Sequence, residues 1–357
     1  MERRLSKKIK VGNIYVGGDA RISVQSMTNT DSSDFQSTYN QIKRLEECGC
    51  DIVRMTVPDM SAVKTVGKLK ESDINIPIVA DIHFDYKMAI EAANAGADKI
   101  RINPGNIGSE DRVKAVVDVC NSKNIPIRIG VNSGSLEKGI LAKYGRPSGE
   151  ALAESALYHA SLLEKFDFEN IILAVKSSRV ADMIQANRLL AQKTEYPLHL
   201  GVTEAGTIHK GVIKSAAGIG SLLLDGIGDT MRVSLTADPV EEIKEGKAIL
   251  SAIGINEESG INVISCPTCG RTKIDLIGIV NEFEKRAANI QVKKRMDVAI
   301  MGCVVNGPGE AKECDIGIAG GIGEAVLFKK GEIVRKIDEA HIIDELVEEI
   351  KKMQNEF

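Results

Sequence analysis

The stretch Ile125-Pro126-Ile127-Arg128-Ile129-Gly130-Val131-Asn132 is a short β-branched run with Arg128 and Asn132 on one face, and the fold is read from its repetition along the chain. An amphipathic segment, Glu110 to Lys123, precedes it, and another, Gly149 to Phe166, follows. Seven runs of similar build lie on either side: Val24 to Thr28, Asp51 to Val57, Ile76 to His83, Lys99 to Pro104, Asn170 to Ser177, Pro197 to Glu204 and Asp229 to Thr236. Further helical patterns cover Ser37 to Cys48, Tyr86 to Ala95 and Ala181 to Gln192. Eight strands in regular alternation with helices fit a TIM-type (β/α)8 barrel better than an open sheet. The segment Ile9 to Arg21, with turn residues Gly12, Gly17 and Gly18, suits a hairpin closing the barrel bottom.

The chain has 357 residues, enough for a barrel of about 250 residues and a smaller domain of about 100. Asp238-Pro239 opens a helix with an N-cap and a proline at its first position, and Gly254 to Gly260 reads as the linker. The expected division is 1–254 for the barrel and 255–357 for an α+β domain. That second domain is read as a strand Asn262 to Ser265, a helix Thr272 to Ala288, strands Asp297 to Met301 and Ile316 to Ala319, a hairpin around Lys329 to Glu332, and a last helix from about Asp338.

Polar residues fall mostly in the C-terminal halves of the barrel strands: Gln25, Arg54, Asp81 with His83, Arg101 with Asn103, Arg128 with Asn132, Lys176, Glu204, and Arg232 with Ser234. Side chains alternate along a strand, so the pairs two or four apart share a face, which in a barrel can be the inside. Five cations, Arg54, Arg101, Arg128, Lys176 and Arg232, outnumber Asp81 and Glu204 there. A phosphate or diphosphate would neutralise the excess through bidentate arginine contacts. The alternative is a set of ordinary barrel ion pairs. Backbone N–H groups of Gly218-Ile219-Gly220 and of Asn103-Pro104-Gly105-Asn106 are candidate further donors. His83 and Glu204 are the candidate proton-transfer groups, against readings as a core histidine and a counter-ion. His159, His199, His209 and His341 read as structural.

Net charge is −4 with both signs dispersed, so no nucleic-acid partner is expected. Met1 to Lys8 is followed by no apolar signal core, the cysteines form no disulfide pattern, and no apolar run is long enough for a membrane span. A cytoplasmic location is the expectation. Cys48, Cys50 and Cys120 read as small apolar core residues. Cys266-Pro267-Thr268-Cys269 and Cys303, each after a strand, form an incomplete metal motif without the second pair that zinc usually takes. Three cysteines and an odd fourth ligand suit an iron-sulfur cluster, with Cys314 the fourth candidate on softness.

Together CPTCGRT at 266–272, GCVVNGPGEA at 302–311, VQSMTNTDS at 24–32 and RINPGNIG at 101–108 resemble the bacterial 4-hydroxy-3-methylbut-2-en-1-yl diphosphate synthases of the non-mevalonate isoprenoid pathway. The resemblance spans essentially the whole chain; Ser32 stands where threonine is usual. It implies a barrel related to dihydropteroate synthase and a domain holding a [4Fe-4S] cluster by Cys266, Cys269, Cys303 and Glu310, which displaces Cys314. It further implies reductive opening of 2-C-methyl-D-erythritol 2,4-cyclodiphosphate, with electrons from a flavodoxin or ferredoxin. Arg54, Arg101, Arg128, Asn132, Lys176, Arg232 and Ser234 would hold the diphosphate. Asp81, His83, Asn103 and Glu204 would face the carbon skeleton, Glu204 delivering a proton. A homodimer is implied as well. The competing readings are a pterin-type transferase with zinc in its tail and a zinc-ribbon-like interaction module.

Overall fold

A computed structural model describes residues 2–255, 260–287, 289–290, 292–305, 309 and 311–355. The chain divides into two compact units, Met1–Asn256 and Glu257–Phe357.

In the first unit the eight expected runs form eight parallel strands: β3 (Ser23–Met27), β4 (Ile52–Thr56), β5 (Ile78–Asp81), β6 (Lys99–Ile102), β7 (Ile127–Asn132), β8 (Ile171–Lys176), β9 (His199–Leu200) and β10 (Thr230–Met231). Their order is β8-β7-β6-β5-β4-β3-β10-β9, and a parallel bridge between Leu173 and Leu198 joins β8 to β9, so the sheet closes on itself. β9 and β10 are much shorter than their apolar runs suggest. The chain leaves the ladder at Gly201, where a Cβ would lie 2.8 Å from Lys176 Nζ and 2.9 Å from the Arg232 carbonyl oxygen.

Helices follow the strands, and aspartates set where several begin. Asp34, Asp59 and Asp85 accept backbone N–H groups at the starts of helices Phe35–Glu47, Met60–Lys70 and Tyr86–Asn94, satisfying donors that a first helical turn leaves free. Asp238 does the same for Pro239–Ala252, as its sequence predicts. The N-terminal hairpin is present as β1 (Ile9–Val11) and β2 (Ile14–Val16), paired antiparallel. Ile9, Val11 and Val16 pack against Ile52, Val79 and Ile172, which lie at the N-terminal ends of their strands, so the hairpin plugs the barrel bottom.

The Gly218-Ile219-Gly220 segment differs from its expected role. All three residues are buried in a π turn, Ala216–Gly220, joining two helices, and a Cβ on Gly218 would lie 2.6 Å from Met183 Cε. These glycines allow close packing instead of offering donors at a loop end.

The second unit is a five-stranded sheet in the order β11 (Gly260–Ser265), β12 (Arg295–Met301), β13 (Ile316–Gly320), β14 (Glu324–Lys329) and β15 (Glu332–Asp338). β11, β12 and β13 run parallel, and β13 to β15 form an antiparallel meander. Helices Leu276–Ala287 and Ile342–Asn355 place Ile279, Phe283, Leu346 and Ile350 against Val298, Ile300, Ile316, Ile318 and Leu327. The first helix starts four residues later than its pattern suggests, because Lys273 donates its N–H to the Gly302 carbonyl 3.0 Å away. Ala288 lies outside the described residues.

Glu349 ties the last helix to the sheet through Lys329 and Arg335, and it also pairs with Lys352 one turn on in its own helix. Hydrogen bonding from Lys329, outweighing burial and joined by Arg335 and Lys352, holds its carboxyl at about 2. A depressed carboxylate contributes stability above its unfolded value of about 4.3 and loses it as pH falls toward the folded one. Glu349→Gln is expected to lower the Tm by a few degrees at neutral pH and to flatten the loss of stability on acidification below pH ~4, measured by thermal melts across pH. An unchanged acid limb would remove Glu349 from this role.

Candidate active site and cysteine loops

Alternation along the strands turns one set of side chains inward at the C-terminal end of the barrel. There they line a cup of about 330 Å³: Met27, Arg54, Thr56, Asp81, His83, Arg101, Arg128, Gly130, Asn132, Ala174, Lys176, Thr203, Glu204, Arg232 and Ser234. All five expected cations are in it.

Asp81 is the pivot. Its carboxylate takes Arg101 Nη1 at 2.9 Å on one oxygen and faces Arg54 Nε at 3.4 Å on the other. Burial disfavours the charge, but Arg54, Arg101 and Arg128 outweigh it and hold the carboxyl at about 2. Asp81 is therefore an ionised counter-ion at any working pH.

The second buried anion is Glu242, which sequence reasoning missed. It grips Arg232 at two points, each 3.0 Å, and also accepts Ser26 Oγ at 2.8 Å and the Leu235 N–H at 3.1 Å. Glu242 lies on the helix Pro239–Ala252, outside any strand, so strand periodicity gave no signal for it. Met27 completes the frame: its sulfur lies 2.8 Å from Arg54 Nη2 and 3.3 Å from Arg232 Nη1.

Five cations thus face two buried carboxylates. Burial, reinforced by neighbouring arginines, pushes Arg128 and Lys176 well below their ordinary values, and burial lowers Arg54 to about 10 against the opposing pull of Asp81. Among the described residues neither Arg128 nor Lys176 has an ion-pair partner, and Arg128 Nε and Nη1 are buried without any hydrogen-bond acceptor. Such a site favours a multiply charged anion.

Two glycines, Gly130 within β7 and Gly201 just past β9, make room for this charge. A Cβ on Gly130 would lie 2.4 Å from Arg101 Nε, and one on Gly201 would meet Lys176 Nζ. Arg101 Nη2 also donates to the Gly130 carbonyl at 3.2 Å.

The remaining expected residues are distributed unevenly. Asn132 and Ser234 line the cup, half-buried. His83 and Glu204 stand exposed at its rim, and Glu204 holds a left-handed backbone with φ 52°. A non-glycine residue in that region carries strain and is enriched at functional sites. Asn103 does not line the cup. It caps helix Pro104–Ile107, its side chain accepting the Gly105 N–H and donating to Ser135 Oγ at 3.2 Å.

In the second unit, β11 and β12 are parallel neighbours with Ser265 opposite Ile300, so the loops beyond their C-terminal ends emerge side by side. One begins with Cys266 and the other with Gly302-Cys303. The Gly302 N–H points at Cys266 Sγ, 3.3 Å away. Cys269 is exposed, and its N–H donates to Thr272 Oγ1 at 3.2 Å. The Arg271 backbone N–H is the main cause that lowers the Cys269 thiol. Cys314 is buried against Ala299, Met301, Ala311 and Phe328, and burial raises its thiol. Among the described residues no three His, Cys, Asp or Glu side chains form a metal-binding group. Glu310 lies outside the described residues, as do Asn306, Gly307 and Pro308. The donor chemistry of the loops, soft thiols served by backbone N–H groups, fits an iron-sulfur cluster.

These features define a class: a (β/α)8 barrel with a cup for a polyanion, joined in one chain to an α+β unit bearing three cysteines on neighbouring loops. Residues 6–247 match the family described as the GcpE TIM-barrel domain, and residues 262–352 match the GcpE protein C-terminal domain. The chain belongs to the GcpE family. It is 60% identical over 351 residues to the 4-hydroxy-3-methylbut-2-en-1-yl diphosphate synthase (flavodoxin) of Clostridium perfringens, covering 98% of this chain and 99% of that one. It is 58% identical over 354 residues to the enzyme of the same name from Caldanaerobacter subterraneus subsp. tengcongensis, covering 99% of each. Among solved structures, the phospho-2-dehydro-3-deoxyheptonate aldolase of Thermotoga maritima matches 70% of this chain and 75% of its own with a TM-score of 0.51 at 13% identity, which shows the barrel fold alone.

Gly130→Ala is expected to displace Arg101 from Asp81 and weaken binding of inorganic diphosphate by about tenfold or more, measured by calorimetric titration. Gly134→Ala, where a Cβ meets nothing within 4 Å, serves as the control and should bind as the wild type does.

Proposed function

We infer that this chain is an iron-sulfur oxidoreductase that converts 2-C-methyl-D-erythritol 2,4-cyclodiphosphate to 4-hydroxy-3-methylbut-2-enyl diphosphate and water, taking two electrons from a flavodoxin or ferredoxin. Identity above half over nearly the full length of enzymes bearing the synthase name supports the reading, and so does the observation that carries it, the uncompensated positive charge of the cup. The pterin-type transferase reading is not retained, because the synthase relatives match both units. The interaction-module reading gives no reason for a cup of buried cations.

The residues divide the work. Arg54, Arg101, Arg128, Lys176 and Arg232 bind the diphosphate, with Asn132 and Ser234 offering polar contacts at the wall. Asp81 and Glu242 are positioning residues, each fixing arginines so that little side-chain ordering remains when substrate arrives. Asn103 is a positioning residue too, setting the turn after β6. Glu204 and His83, at the rim, face the carbon skeleton, and Glu204 delivers the proton with which the hydroxyl leaves as water. Ring opening leaves the diphosphate on one carbon and adds a negative charge, which Arg128 and Lys176 are placed to stabilise.

Cys266, Cys269 and Cys303, with Glu310, would hold a [4Fe-4S] cluster, which when bound supplies single-electron transfer that ordinary side chains cannot. The protein acts as a homodimer in the cytoplasm on this reading. No helix among the described residues is long and apolar enough to cross a membrane.

Glu204→Gln is expected to bind the cyclodiphosphate within about twofold of wild type yet turn over at least ~100-fold more slowly. Near-normal turnover would remove Glu204 from the mechanism. Protein purified without oxygen is expected to be brown and to carry about four irons per chain; colourless protein with stoichiometric zinc would sink the reductase reading.

A further inference from the structure

Beneath the cup the barrel interior contains a second polar layer, which shares Arg128 with the cup. Gln25, Lys99 and His199 are 0% exposed and Arg128 is 1% exposed. The ladder register puts three of them level with the apolar plug: Gln25 pairs with Ile52, Lys99 with Val79 and Arg128 with Ile172. His199 joins from β9, its Nδ1 2.9 Å from Thr230 Oγ1. Gln25, Lys99 and His199 are not among the residues that line the cup.

Among the described residues most polar atoms of this layer lack partners. Lys99 Nζ, both side-chain polar atoms of Gln25, His199 Nε2, and Arg128 Nε and Nη1 are all buried without a hydrogen bond. Nor, among the described residues, does a carboxylate pair with either of the two cations. Asp98, next to Lys99 in sequence, takes Lys70 at 2.7 Å and the Ile78 N–H at 2.8 Å, Asp81 takes Arg54 and Arg101, and Glu242 takes Arg232. Each unpaired buried cation costs several kcal/mol, and an unsatisfied buried donor adds to that. Burial, with Arg128 and Arg54 nearby, pushes the Lys99 ammonium well below its usual range.

We propose that this layer is a binding site for a single monovalent anion of the chloride type, held by Lys99 Nζ, the Arg128 guanidinium, the Gln25 carboxamide N–H and the His199 Nε2–H of the tautomer whose Nδ1 accepts from Thr230 Oγ1. Donors outnumber acceptors here, which favours a ligand that only accepts over a water, which must also donate. A halide between Lys99 and Arg128 also offsets the desolvation of both and lets Lys99 keep its proton. It steadies Arg128 from below while leaving the arginine's upper side to the cup. The site lies within the barrel and meets the proposed reaction only through Arg128.

Two measurements on the full-length protein test it. At fixed ionic strength, replacing gluconate with chloride or bromide is expected to raise the Tm saturably, by about 3 °C, in wild type and not in Lys99→Met. Crystals grown in bromide are expected to show an anomalous peak inside the barrel between Lys99 and Arg128. No saturable halide response in wild type, an equal response in both proteins, or a barrel interior holding only water would overturn the proposal. If Lys99→Met does not fold, the bromide map of the wild type decides.

Discussion

Everything in the cup depends on one carboxylate, Asp81, shared between Arg54 and Arg101 where burial alone would expel all three charges. Parallel barrel strands are normally apolar on both faces, so placing arginines on them requires compensation inside the barrel. Asp81 supplies it for two cations and Glu242 for a third, through a two-point grip. Among the described residues the compensation by carboxylates stops there, and Arg128 and Lys176 have no carboxylate partner. A barrel that balanced its charges fully would be more stable and would have nothing with which to attract a diphosphate.

Much of this was legible in the sequence, for physical reasons. Alternation along a strand is strict, so Arg54, Asp81, Arg101, Arg128, Lys176 and Arg232 could be assigned to one interior face before any coordinates. Asp238-Pro239 marks a helix start because a first helical turn needs acceptors for its free N–H groups. The hairpin under the barrel was legible from its glycines, although its partners Ile52, Val79 and Ile172 were not.

What escaped the sequence depends on contacts between distant segments. Glu242 looks like any acid in the first turn of a helix, and only the fold brings it to Arg232 and Ser26. Glu204, which the sequence offers as a proton-transfer group or else as a counter-ion, stands exposed at the rim, and Glu242 takes the buried place beside Arg232. Gly130 and Gly201 carry no signal of their own, because the space they leave is filled by side chains from neighbouring strands. Gly218-Ile219-Gly220 carried too strong a signal, since glycine pairs suit phosphate loops and close helix packing alike. Cys314 was the fourth ligand by softness alone, but its burial among apolar side chains suits a core residue.

The central claim is that unpaired positive charge in the barrel, more than any shape of the wall, selects the substrate. The most direct test is calorimetric titration of the anaerobic full-length protein with 2-C-methyl-D-erythritol 2,4-cyclodiphosphate and, separately, with the uncharged 2-C-methyl-D-erythritol. The account predicts binding of the cyclodiphosphate at least ~1,000-fold tighter than that of the alcohol, as several charge-assisted contacts require. Comparable affinity for the two would contradict it.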